Sequence, residues 1–314
     1  MNKHSAHLAH ETHGQSWDRG RSMWLTAPDG LRLHVREFGS RDTPGMPVVC
    51  LPGLARTVGD FYELAPALAF GSPARHVVAI DSRGRGHSDH DTDHTNYNCT
   101  VELGDIVGIL IELGVGPAMF IGSSRGGVLT MLLGVAYPSA IAGVVLHDVG
   151  PVTEPAGIAR IKGYLGKLPH PHTFEEGAEI LRRLMGAHFP NLTSEQWLAG
   201  AQLTWHLKHG ALKPAYDLGI AQALAGIDIE GSMPALWNEF DALADVPMLV
   251  IRGANSDMLS VETVAAMRAR RKNMELTEVP DQGHAPLLEG DLVRRIVRFV
   301  ETCEMARQSA GPAQ

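Results

Sequence analysis

The chain of 314 residues is poor in cysteine: Cys50, Cys99 and Cys303 are all it contains. Three thiols cannot all pair and form no spaced framework, so reduced thiols in a cytoplasmic protein are the expectation. Long apolar runs are missing as well. None reaches the roughly 18–20 residues that a spanning helix needs, so no membrane partner is expected. The first twenty residues, "MNKHSAHLAHETHGQSWDRG", lack the hydrophobic core of a secretory leader. No basic stripe offsets the formal net charge of −8, which argues against a nucleic-acid partner. The densest basic stretch, "MRARRKNM" (267–274), reads as the solvated end of a helix. Internal repeats, low-complexity tracts and a phosphate loop ending in Gly-Lys-Ser/Thr are also absent.

What is present is a rhythm. Residues 1–21 read as a disordered polar tail, with a metal site built on His4, His7, His10 and His13 as the competing reading. "MWLTA" (23–27) and "LRLHVREF" (31–38) flank Pro28-Asp29-Gly30, a hairpin signal. Continuous apolar runs at 46–51, 75–81, 117–122, 141–148 and 246–253 have the pattern of strands buried on both faces. Helical spacing separates them at 60–70, 101–113 and 125–137, and a strand at 274–280 precedes a terminal helix over 287–307. Alternation of this kind predicts an α/β fold with a mostly parallel, doubly wound sheet. It stops at Gly150-Pro151. Residues 151–240 read as helices without a convincing buried strand, two of them opened by Thr173 with Glu176 and by Thr193 with Gln196 as capping boxes. This predicts a helical lid inserted between the core segments 22–150 and 241–310.

The stretch "FIGSSRGGVLTML" (120–132) sets two serines among glycines, after a strand-like run and before a helix. Gly122-Ser123-Ser124-Arg125-Gly126 fits G-x-S-x-G when centred on Ser124 and fails when centred on Ser123, because Ile121 then occupies the first glycine position. A nucleophile on so sharp a turn needs neighbours without side chains two residues away, which selects Ser124. Its hydroxyl requires a base, itself oriented by an acid. Among 16 histidines, His284 in "VPDQGHAPLLE" (279–289) lies on a loop after a strand and before a helix, where functional groups gather in such sheets. Asp257 in "LVIRGANSDMLS" (249–260) is the expected acid, with Asp148 in "LHDVGP" as its competitor.

These residues resemble the α/β-hydrolase superfamily, in its lid-bearing branch. The resemblance rests on "CLPGLARTVGDF" (50–61), "DSRGRGHSD" (81–89), "GSSRGG" (122–127), "GANSDMLS" (253–260) and "DQGHAPLLE" (281–289), and it covers about 22–305. It implies the fold, a Ser-His-Asp triad and an oxyanion hole made of two backbone N–H groups, which fall by position on Leu54 and Arg125. The chain departs from many relatives in having Pro52 where they carry histidine before Gly53. For Arg83 and Arg85, pinning of a glycine-rich loop competes with binding of an acidic substrate. Arg56 could hold a substrate carboxylate or carbonyl, or pair within the protein.

Serine at position 124 disfavours the dehalogenase and epoxide-hydrolase chemistries of the superfamily, which need a carboxylate there. The expected activity is hydrolysis of a carboxylic ester of a small molecule through an acyl-enzyme, with no cofactor or metal. C–C hydrolysis of ring-cleavage products and non-catalytic ligand binding are the alternatives. Trp197, Trp205, His206, Tyr216 and Trp237 are the lid-region candidates for lining the substrate pocket, each with core packing as its competing role.

Overall fold

A computed structural model of the chain describes residues 16–225 and 234–309. Eight strands form the central sheet: β1 (Arg21–Thr26), β2 (Arg32–Phe38), β3 (Val48–Leu51), β4 (Val77–Ile80), β5 (Ala118–Ser123), β6 (Ile141–His147), β9 (Met248–Gly253) and β10 (Glu275–Val279). Their order is β1-β2-β4-β3-β5-β6-β9-β10. β1 and β2 run antiparallel to their neighbours, and the remaining pairs are parallel. The apolar runs form central strands because both faces of the sheet are covered. Val49, Leu51 and Phe120 point towards α2 (Cys99–Leu113), α3 (Arg125–Ala136) and α8 (Val261–Arg270). Val48, Cys50 and Ile121 face α1 (Leu64–Ala69) and α9 (Gly290–Ser309) instead.

Order begins earlier than the expected tail boundary at residue 21. The Trp17 ring packs 5.0 Å from that of Phe38, and the Trp17 carbonyl accepts a 2.8 Å hydrogen bond from Arg36. His4, His7, His10 and His13 lie outside the described residues.

The segment between β6 and β9 carries α4 (Pro155–Tyr164), α5 (Phe174–Met185), α6 (Ser194–Thr204) and α7 (Trp237–Asp241). The Thr193–Gln196 capping box forms in full, whereas Glu176 turns to the His172 N–H and leaves Thr173 to cap alone. One expectation fails here. Within the stretch read as helices, the one opened by Thr193 ends at Thr204, and β7 (Trp205–Lys208) and β8 (Ala211–Pro214) form an antiparallel hairpin. The cause is local: His209 and Gly210 both take positive φ, 51° and 77°, the backbone of a tight two-residue hairpin turn. Ala201, Trp205 and Leu212 centre a small core belonging to this segment.

Ser123 and His147 are register partners at the ends of β5 and β6, with Nδ1 of His147 2.9 Å from the Ser123 hydroxyl. Burial pushes the His147 imidazole from 6.5 down to about 4. A histidine depressed in the folded state binds its proton more readily when unfolded, so this residue costs stability as pH falls through the window from 6.5 towards 4. The full cost is about 3 kcal/mol. Urea unfolding at pH 7 and pH 4.5 should therefore show the wild type losing clearly more stability than His147→Gln. Equal losses in the two proteins would mean that the buried imidazole carries no such penalty.

Candidate active site

Ser124 sits between the end of β5 and the first turn of α3, with φ 50° and ψ −116°. A non-glycine residue in that conformation is strained, and its neighbours over-determine it. Its N–H donates to the His147 carbonyl at 2.9 Å, tying the turn to β6. A Cβ on Gly122 would come within 2.5 Å of the Gly126 carbonyl oxygen, and one on Gly126 within 2.1 Å of the Leu51 carbonyl oxygen. The two glycines thus let α3 start hard against β3 and β5. Ser123 points away to His147.

His284, on the loop between β10 and α9, places Nε2 2.8 Å from the Ser124 hydroxyl oxygen. Its Nδ1 lies 2.8 Å from Oδ2 of Asp148, so the carboxylate bonded to this histidine is Asp148 and not the expected Asp257. Asp257 forks onto Arg160 of α4 at 2.6 and 2.9 Å, and although burial pushes its carboxyl up, Arg160 holds it below the usual range. Asp148 follows β6 directly and is fully buried, with its backbone at φ 55°. The loop after β9 supplies donors instead of the acid. The Gly253 N–H donates to Asp148 Oδ1 at 2.8 Å and the Ser256 hydroxyl to Oδ2 at 2.7 Å.

The Gly53–Leu54 loop closes the other side of the serine, with a Cβ on Gly53 falling 3.7 Å from that of Ser124. The Arg125 N–H opens α3, where no carbonyl one turn earlier is available to it. Arg83 and Arg85 prove to be loop pins. Arg83 is buried between Asp105, Asp29 and Asp91 at 2.6–2.8 Å. Arg85, also buried, holds the Leu54 carbonyl at 2.7 Å and pairs with Glu102 at 2.8 Å. Among the described residues no group of three or more His, Cys, Asp or Glu side chains is arranged to hold a metal ion.

Ser124 and His284 lie on the wall of a cavity of about 260 Å³. The inserted segment gives it an apolar roof, through Ile161, Leu165, Leu181, Met185, Phe189 and Trp197. Of the residues expected to line the pocket, Arg56, Trp197 and Tyr216 do so. Arg56 also pairs within the protein, contacting both Asp60 carboxylate oxygens at 2.5–3.1 Å. Trp205, His206 and Trp237 do not line it. Trp205 is the fully buried centre of the inserted segment's own core, and His206 stacks on His87 with 5.6 Å between rings. Trp237 packs against Phe240 beneath the Arg270 guanidinium. The α5 side chains on the roof were legible as an apolar helical stripe, but the stripe does not say what it faces.

Comparison with known proteins agrees with this architecture. A family model described as the alpha/beta hydrolase fold matches residues 46–291. The 3-hydroxybutyrate-oligomer hydrolase of Cupriavidus necator is 36% identical over 273 residues, covering 83% of this chain and 89% of that protein. The 2-(acetamidomethylene)succinate hydrolase of Mesorhizobium japonicum is 25% identical, covering 81% of this chain and 85% of the other. Among solved structures, an alpha/beta hydrolase from Novosphingobium aromaticivorans superposes with a TM-score of 0.81 at 39% identity, covering 90% of this chain and 98% of that one. With its parallel sheet, its strained serine and a family match over most of its length, the chain belongs to the α/β-hydrolase family.

Proposed function

We propose that this protein is a serine hydrolase that cleaves carboxylic esters, with short oligoesters of hydroxy acids as its substrate class. The observation that carries the reading is the unbroken chain Asp148–His284–Ser124, with both links at 2.8 Å, on the wall of a largely apolar cavity. Ser124 attacks the ester carbonyl while His284 Nε2 takes its proton. Asp148 fixes the tautomer with Nδ1–H towards the carboxylate and stabilises the imidazolium that forms. The Leu54 and Arg125 N–H groups receive the negative charge on the carbonyl oxygen. His284 returns the proton to the leaving alcohol, and water then releases the acyl group by the same route. The helices of the inserted segment act as a lid that keeps this chemistry out of bulk water.

The substrate class follows two lines of support. Similarity to the 3-hydroxybutyrate-oligomer hydrolase extends over most of both chains. The roof offers aliphatic side chains suited to a short acyl unit. C–C hydrolysis is less well served, since a carbanionic leaving group with its carboxylates needs a fixed cation. Arg56 is already occupied by Asp60.

Ser124→Ala should abolish turnover with the fold intact, and Ser123→Ala should keep at least about a tenth of it. Asp148→Asn should lower kcat by up to about 10⁴-fold, because an amide favours the wrong histidine tautomer. Asp257→Asn, which only frees Arg160, should cost less than about tenfold, well short of loss of the triad acid. A larger loss at Asp257 than at Asp148 would return the acid to the loop after β9.

For the substrate, linear 3-hydroxybutyrate dimer and trimer and a p-nitrophenyl butanoate should all be turned over many times. A dienoate C–C substrate should give a kcat/KM at least about tenfold lower, as expected where carbanion stabilisation is missing. Release of only one equivalent of nitrophenol, with none beyond it, would identify a ligand-binding member in place of an enzyme.

A further inference from the structure

Behind the two proposed oxyanion donors lies a buried cluster that takes no part in the triad. Glu102, near the start of α2, is only 1% exposed. Its Oε1 accepts from Arg85 Nη1 at 2.8 Å, and its Oε2 accepts from Arg125 Nε at 2.7 Å. Arg85 in turn donates through Nε to the Leu54 carbonyl at 2.7 Å and through Nη1 to the Arg83 carbonyl at 2.6 Å. One carboxylate therefore reaches both residues whose N–H groups face the reacting oxygen. It holds Arg125 by its own side chain and the Leu54 loop through the Arg85 fork. The loop and the helix start belong to segments some seventy residues apart in sequence, and the β3–β5 ladder beneath them ends at Leu51 and Gly122, three residues short of Leu54 and Arg125.

We infer that Glu102 is a positioning residue for ester hydrolysis, fixing the separation of the Leu54 and Arg125 N–H donors by clamping Arg85 and Arg125 together. The inference rests on the oxyanion hole of the proposed function. Its physical basis is that donors aimed at a developing charge are effective only if they need not reorganise as that charge appears. A planar guanidinium bound at two points transmits a fixed geometry, which a flexible ammonium would not. Arg85 Nη2 and Arg125 Nη2 are buried without a hydrogen-bond partner, so both guanidiniums depend on the Glu102 carboxylate to offset the cost of burying their charge. Two guanidiniums against one carboxylate also leave the cluster with an excess positive charge.

That excess charge separates positioning from simple electrostatics. Glu102→Gln makes the cluster more positive while loosening its geometry. If geometry dominates, kcat on p-nitrophenyl butanoate should fall about 10–100-fold with KM within about threefold, the pattern of an interaction made only in the transition state. The inhibition constant of butylboronic acid, whose tetrahedral serine adduct places an oxygen in the hole, should rise by about the same factor. Arg125→Lys is the second variant, because it keeps the charge and both backbone donors while losing the planar Nε contact to Glu102. It should weaken boronate binding at least about fivefold, as expected where a planar guanidinium held at Nε is replaced by a flexible ammonium.

Boronate affinity unchanged in Arg125→Lys, or boronate binding tightened in Glu102→Gln, would overturn the inference. So would a lower melting temperature with kcat and boronate affinity both kept within twofold. If Glu102→Gln does not fold, loss of boronate affinity in Arg125→Lys still supports the clamp and its retention still refutes it. Ser124→Ala distinguishes the two levels. Undiminished turnover in that variant would remove the ester-hydrolase reading itself, whereas an inactive Ser124→Ala beside an unaffected Glu102→Gln would remove the clamp alone.

Discussion

The hydrogen bond from the Ser124 N–H to the His147 carbonyl is the constraint from which the rest of the site follows. It fixes a backbone at φ 50° that a serine adopts only under duress. Holding it there requires β5 and β6 to be neighbours in parallel register, so that the end of one strand meets the end of the other. The same register sets Asp148 one residue beyond His147, alongside the nucleophile. The sheet order is thus part of the chemistry of the site. A strand inserted between β5 and β6 would separate serine from acid and remove the carbonyl that holds the turn.

That constraint explains why the carboxylate bonded to His284 lies after β6. Asp148 receives hydrogen bonds from Gly253 and Ser256, so the loop after β9 is committed to holding this carboxylate. Asp257, the residue after Ser256, has turned outwards to Arg160 of the inserted segment. Two carboxylates flank the histidine region, and their partners divide the work. One is surrounded by neutral donors that leave it free to accept from an imidazole; the other is matched by a full guanidinium. A carboxylate already satisfied bidentately by arginine has little left to offer a histidine.

Most of the sheet and the serine were legible in the sequence, for reasons visible in the structure. Apolar runs such as "VVCL" mark strands covered on both sides, and the glycines around Ser124 stand where any Cβ would strike backbone. Asp257 was expected in the place that Asp148 takes, because both follow strands and sequence order alone cannot say which carboxylate meets an arginine from elsewhere. The β7–β8 hairpin was missed because His209-Gly210 is not a common turn pair, and the helical pattern of α6 runs smoothly into it. Trp205 and Trp237 were drawn into the candidate pocket on composition. Large aromatic side chains are as useful to a small core as to a substrate, and only tertiary contacts tell the two uses apart.

The inserted segment had to solve two packing problems with one set of helices. α5 turns Leu181 and Met185 towards the cavity while Ala178 and Ile180 pack beside the Trp205 core. Because Trp205 anchors the α6–hairpin junction from inside, the segment keeps a shape of its own without spending that shape on contacts to the sheet. It joins the hydrolase core through a shared apolar cluster, in which Ile158, Ile161, Leu165 and Tyr216 pack with Leu54, Tyr97 and Met258, and through polar contacts at its margins. Arg160 with Asp257 makes one at the loop after β9, and Tyr97 donating to Asp217 at 2.6 Å makes another at the opposite side. The roof is thus held on the core by apolar packing beside Leu54 and built around its own cluster at Trp205, and the two together set the apolar wall it presents to Ser124.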